Sequence, residues 1–136
     1  MFIRRKKMNL IESVKYCYKN YSNFNGRATR SEFWYFYLFF YLTIFLLALI
    51  SGIIKEGEAM FVIGAIFVLG SLIPFAAVTT RRLHDVGRSG WWQVLGAIPY
   101  VNIIAVIVLI FWWCSEGEKK KNFYGPPIKI NGRKKK

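Results

Sequence analysis

Between Phe33 and Ile54 the chain runs for 22 residues without a charged side chain. At about 1.5 Å per residue, a helix of that length covers the roughly 30 Å hydrocarbon core of a bilayer. Two more apolar stretches follow, near 59–80 and 91–113. Three such runs in 136 residues leave little polar surface to clothe a water-soluble domain, and the hydrophobic fraction of 54% agrees. The expected fold is therefore all-α: an integral membrane helical bundle with three apolar segments, forming a single domain over residues 1–136.

Charge narrows the class of partner. The chain has a formal net charge of +13 and a pI near 10. Such a balance fits either nucleic acid or an anionic membrane surface. Here the bases flank the apolar runs, the aromatics lie within or beside those runs, and no nucleic-acid fold signature appears. Membrane lipid, chiefly anionic, is the expected partner, alongside a second copy or another membrane protein; nucleic acid is not. Cys17 and Cys114 follow no metal or redox spacing, so no disulfide, metal site or cofactor is expected. Arg4-Arg5-Lys6-Lys7 is not followed by a signal-peptide core or cleavage site, so no cleaved leader is read.

Local patterns place the elements. Residues 1–7 read as a disordered basic arm. Over 8–21, Leu10, Ile11, Val14, Cys17, Tyr18 and Tyr21 fall on one helical arc, opposite Glu12, Lys15 and Lys19. This amphipathic helix suits the interface plane, or equally the end of the bundle. Asn25-Gly26 marks a turn, and Thr29-Arg30-Ser31-Glu32 matches a capping box that starts a helix near residue 30. The 33–54 span follows, and Lys55 to Glu58 form a tight connection. In the 59–80 span, Gly64, Ala65, Gly70 and Ser71 suit close helix contact, and Pro74 is a candidate kink. Trp34, Trp91, Trp92, Trp112 and Trp113 are the expected interface anchors. Residues 115–136 read as a polar, basic tail.

Topology poses a conflict. Residues 1–32 hold eight Lys/Arg, the 55–58 connection one, the 81–90 block three and the tail eight. The positive-inside rule places the N-terminus and the 81–90 loop in the cytoplasm. Three full crossings would export the tail with its eight bases. A turn at Pro99-Tyr100-Val101-Asn102 would instead make 91–113 a re-entrant hairpin with every large basic segment inside. Against this, Trp91-Trp92 and Trp112-Trp113 stand about 21 residues apart, which on a straight helix is roughly 30 Å. That spacing favours three helical segments and leaves the third one's crossing open.

Arg81 to Gly90, wedged between apolar runs, is the most polar block of the interior sequence and carries the chain's only Asp and only His. If the second helix continues through it, Arg81, Asp85 and Arg88 share a face and Arg82 lies within reach of Asp85. A carboxylate between guanidiniums makes a poor general base, and His84 lacks a Ser, Cys or second His at useful spacing, so no catalytic residue is assigned. The surplus arginine suits phosphate, with a lipid headgroup the nearest source. The plain alternative is a positive-inside anchor whose Asp85 trims repulsion. Arg27, Arg30 and Glu32 begin the first span at the same depth. They form one expected polar cluster with the block: Glu32 towards Arg81, Arg82 or Arg88, and Arg27 or Arg30 towards Asp85. The anion-binding candidates are thus Arg27, Arg30, Arg81, Arg82 and Arg88, with Glu32, His84 and Asp85 in support.

Phe24-Asn25-Gly26-Arg27-Ala28-Thr29-Arg30-Ser31-Glu32-Phe33-Trp34, then Arg81-Arg82-Leu83-His84-Asp85 with Gly87-Arg88-Ser89-Gly90-Trp91-Trp92, Ile98-Pro99 and Asn122-Phe123-Tyr124-Gly125-Pro126-Pro127 occur in this order. Together they resemble the bacterial inner-membrane family known as domain of unknown function 805, over about residues 10–128. The tail reads Asn-Phe-Tyr-Gly-Pro where that family usually has Asn-Arg-Phe-Gly-Pro. The resemblance implies a small multi-pass protein of the bacterial cytoplasmic membrane and carries no activity. Three functions stand as expectations: a non-enzymatic scaffold or accessory subunit whose arginines engage anionic lipid or an acidic partner; a small oligomeric transporter or channel; and a membrane enzyme acting on a phosphorylated lipid. The apolar runs contain no inner charge to mark a transport pathway.

Overall fold

A computed structural model describes residues 2–54 and 57–131. In chain order it comprises β1 (Ile3–Lys6), α1 (Leu10–Lys19), α2 (Arg30–Ile53), α3 (Gly57–Asp85), a 3₁₀ run (Gly90–Ala97), α4 (Asn102–Cys114) and β2 (Ile128–Asn131). Lys55, Glu56 and the terminal bases Arg133 to Lys136 lie outside the described residues.

The two long helices form the body of this membrane helical bundle. α2 has 24 residues and α3 29, about 36 and 43 Å, so each is long and apolar enough to cross a membrane. They pack along each other through Phe36, Phe40, Phe67 and Phe75. Much of their remaining surface is bare hydrocarbon, including Leu46, Leu49, Phe61, Ile66 and Leu69, which water would not tolerate on a monomer. Thr29 caps α2 as expected, accepting from the Glu32 N–H at 3.2 Å. The reciprocal half of the capping box is not made, because the Glu32 carboxylate is taken by two arginines.

α3 does not stop at Thr80. It carries Pro74 within it and continues to Asp85. There Gly87, at φ 72°, closes it with a Schellman arrangement: Arg88 N–H donates to Leu83 C=O at 2.9 Å and Gly87 N–H to His84 C=O at 3.2 Å. Arg88 therefore leaves the face it was expected to share with Arg81 and Asp85. Its guanidinium lies over the Trp112 ring, 4.9 Å from the centroid.

The third apolar stretch is broken. The 3₁₀ run covers about 16 Å and α4 about 20 Å, each short of a bilayer core. Between them the chain reverses at Ile98–Val101, with Tyr100 at φ 69°. Trp92 and Trp112 meet with ring centroids 5.2 Å apart. Both ends of the stretch thus return to one level, the alternative that the charge count favoured and the straight-helix Trp spacing opposed. The hairpin docks on α3 through Gln93, which donates to Thr80 Oγ1 at 2.9 Å. Gly90 lies so close to the Thr80 side chain that a Cβ would collide with it.

Two other expectations are corrected. α1 spans 10–19 rather than 8–21, bounded by an Asn9–Glu12 capping box. It packs on the bundle, burying Ser13 and Cys17, with Tyr18 OH 2.7 Å from Ser71 Oγ. The basic arm is a strand: β1 pairs in parallel with β2, Ile3 opposite Ile128 and Lys6 opposite Asn131. Its partner lies more than 120 residues away in the tail, so no local pattern could announce it. The tail itself folds back over the ends of α2 and α3.

Candidate functional site

The expected polar cluster forms, and it is buried. Arg27, Glu32, Arg81, Arg82, His84 and Asp85 are all at most 9% exposed. Burying this much charge is tolerable only if each group is paired and hydrogen-bonded. Glu32, at the first turn of α2, accepts from Arg81 Nη2 at 2.9 Å and from Arg5 Nη1 at 3.1 Å. Asp85, at the last turn of α3, accepts from Arg27 Nε at 2.8 Å and from Arg82 Nη1. These are Glu32 to Arg81 and Arg27 to Asp85, two of the pairings expected from shared depth.

Most of the remaining guanidinium donors go to backbone carbonyls. Arg82 donates to Trp113 C=O at 3.0 Å and to Ser115 C=O at 2.5 Å. These oxygens end α4, where carbonyls lack intrahelical partners and the helix dipole favours a cation. Arg30 adds a bond to Cys114 C=O at 3.3 Å. Arg27 donates to the carbonyls of Glu118 and Lys120 in the tail, at 2.5 and 3.1 Å. Arg81 donates to Asn23 C=O at 2.6 Å in the loop after α1. The planar fork of arginine, with five donors, can serve several acceptors at once. The network thereby ties together the 20–29 loop, both long helices, the hairpin and the tail.

His84 is engaged as well. Its Nδ1 lies 3.2 Å from Gly26 C=O, and its ring stacks on Tyr124 with centroids 3.7 Å apart and planes 5° apart. Asn122 Nδ2 donates to His84 C=O at 2.9 Å. The Asn122–Gly125 turn of the tail is therefore seated on the end of α3. Gly117 lies against the Asp85 carboxylate so closely that a Cβ would overlap it. Of the expected interface anchors, Trp91 is 81% exposed and Trp92 and Trp112 bracket the hairpin. Trp34 is half-buried against Phe33. Trp113 departs from that role: its ring is buried against Phe33, at 5.0 Å, within the core.

Beside the network lies an open cleft of about 530 Å³ between the start of α2, the residue after β1 and the tail. Lys7, Thr29, Arg30, Ser31, Glu116 and Lys119 line it, and Lys129 stands at its edge with its ammonium over the Phe2 ring. Of these only Arg30 is among the anion-binding candidates read from the sequence. Lys7, Glu116 and Lys119 sit in segments of plain polar composition, and only the fold of the tail brings them together. Among the described residues, no group of three or more His, Cys, Asp or Glu is arranged to hold a metal.

No solved structure matches the chain. It is 35% identical over 116 residues to "Inner membrane protein YhaH" of Escherichia coli (strain K12), covering 82% of this chain and 92% of that protein. It is 36% identical over 107 residues to "Inner membrane protein YhaI" of the same organism, covering 79% and 86%. "Uncharacterized protein YiiR" is 34% identical over 95 residues, covering 67% and 62%. The family model described as "Protein of unknown function (DUF805)" matches residues 21–126, which include the loop, both long helices, the hairpin and the tail turn that the network joins. The chain belongs to the DUF805 family of membrane proteins.

Proposed function

We propose that this protein is a non-enzymatic scaffold or accessory subunit of the bacterial cytoplasmic membrane, whose basic face engages anionic lipid or an acidic partner. In this reading α2 and α3 cross the bilayer, the hairpin re-enters from the inner side, and the N-terminus and the 81–90 loop face the cytoplasm. The observation that carries it is the division of labour among the arginines. Arg27, Arg81 and Arg82 are spent internally, fixing the loop after α1, the end of α4 and the start of the tail to one end of the helix pair. Arg88, by contrast, is exposed, stacked on Trp112, and paired with no carboxylate among the described residues. Gathering the bases on one side satisfies the positive-inside rule, and an arginine beside interfacial tryptophans is well placed for a lipid phosphate.

Native mass spectrometry of the full chain, extracted in mild detergent, tests this reading. Phosphatidylglycerol or cardiolipin adducts should survive at higher activation energy than phosphatidylethanolamine adducts. Arg88→Ala should reduce the anionic adducts while leaving the melting temperature unchanged. Equal retention of anionic and zwitterionic lipid would overturn the proposal.

A further inference from the structure

The open cleft beside the network has the size of a small-ligand site. Its walls come from four separate stretches of chain: Lys7 after β1, Thr29 to Ser31 at the start of α2, Glu116 to Lys119 in the tail, and Pro127 to Ile130 at β2. Arg27 and Asp85 also touch it, but they are mutually paired and locked in the buried network. The side chains facing the cleft outside that buried pair include Lys7, Lys119 and Arg30, whose guanidinium also reaches Cys114 C=O, together with the hydroxyls of Thr29, the cap of α2, and Ser31, which lie 3.2 Å apart. Cations and hydroxyls converging on one concavity are the donor set of a phosphate site.

Glu116 supplies a second, independent observation. Its carboxylate lies between Arg30 Nη2 and Lys119 Nζ, 3.7 Å from each. Both contacts are longer than a hydrogen bond, and the carboxylate is 61% exposed. It is an exposed anion resting loosely between two cations. The buried pairs of the network, at 2.8 to 3.1 Å, differ plainly in kind.

We infer that this cleft binds a phosphate monoester through Lys7, Arg30 and Lys119, and that Glu116 holds the anion's place until the ligand displaces it. A phosphatidate-type lipid headgroup and a soluble phosphate ester present the same chemistry. The inference rests on the reading of a basic, anion-engaging face and specifies where on that face the anion sits. Of the other acidic residues lining the cleft, Asp85 is paired with Arg27 and Glu118 lies over Gly87.

The test is isothermal titration of the full chain in detergent micelles with dioctanoylphosphatidic acid, glycerol 3-phosphate, inorganic phosphate and, as control, dioctanoylphosphatidylcholine. Phosphatidic acid should bind and the phosphatidylcholine control should not. Lys7→Gln/Lys119→Gln removes two exposed cations and should weaken binding by about tenfold or more. Glu116→Gln removes the internal competitor and should strengthen binding by about three- to tenfold, an effect opposite to that of losing a merely structural tail contact. Comparable affinity for glycerol 3-phosphate would support the site with a soluble source; binding of phosphatidic acid alone would support it with a lipid source. No binding by the wild-type chain overturns the inference, as does binding that ignores both variants. If anionic adducts persist in mass spectrometry while the cleft variants change nothing, only the cleft assignment fails. Should glycerol 3-phosphate bind in a variant-sensitive manner without any lipid preference, the cleft stands and the lipid reading falls.

Discussion

Arg82→Ala is expected to cost about 3–5 kcal/mol of stability, the range for removing one partner of a buried ion pair. Arg82 is fully buried. Its loss leaves Asp85 with Arg27 alone and strips the donors from Trp113 C=O and Ser115 C=O. A carbonyl left unsatisfied where it is buried carries its full desolvation penalty. The damage should also be specific in space. Those two carbonyls are where the hairpin gives way to the tail, so the tail should loosen before the α2–α3 pair separates. Thermal unfolding in detergent, read by intrinsic fluorescence, should show the lower midpoint. Limited trypsin digestion should cut faster after Lys119, Lys120 and Lys121, three exposed residues of the tail. An unchanged midpoint with unchanged cleavage would show that the buried arginine does not hold the hairpin and tail together.

Glu32→Ala should have an effect of similar size, about 3–5 kcal/mol. Glu32 is fully buried, and it alone among the described carboxylates pairs with Arg81. Removing it leaves Arg81 buried without a counter-charge and releases Arg5 from its carboxylate, so the β1–β2 pair loses its tie to α2. An isolated pair of strands is only marginally stable. Replacing both partners, as in Glu32→Leu/Arg81→Met, removes the uncompensated charge and should cost less than the two single losses added together. The same fluorescence melts report this cycle. Strict additivity would mean that Glu32 and Arg81 do not act as a pair.

These two residues also show what the sequence could and could not reveal. Thr29 and Glu32 announced the start of α2, and a shared membrane depth was enough to bring Glu32 to Arg81 and Arg27 to Asp85. Such signals are local, or follow from the cost of charge near hydrocarbon. The acceptors that complete the network were not legible. Trp113, Ser115, Glu118 and Lys120 contribute backbone carbonyls, which every residue has and no pattern marks. Arg82 therefore reads in the sequence as an anion-binding candidate within reach of Asp85, although its guanidinium is also occupied by Trp113 C=O and Ser115 C=O. The strand pair escaped notice for a related reason, since Ile3 and Ile128 have no motif in common and meet only after the tail has folded back. The hairpin is the instructive mixture. Charge counting favoured it, and Trp spacing opposed it. The spacing misled because distance along the sequence becomes distance in space only on a straight helix, and Ile98–Val101 is a turn.

In the proposed function, the buried network holds the N-terminal segment, the hairpin ends and the tail together on the cytoplasmic side of the membrane. The most direct measurement places a single reactive thiol at the tip of the tail turn. Phe123 is 96% exposed there, so Phe123→Cys in a Cys114→Ser background presents that thiol to solvent. Cys17 can remain, because burial pushes its thiol up to about 12 and keeps it unreactive. A membrane-impermeant maleimide should label this variant in inverted inner-membrane vesicles and fail to label it in intact spheroplasts. Labelling from outside the spheroplasts would contradict the proposed cytoplasmic placement of the tail and of the network that holds it.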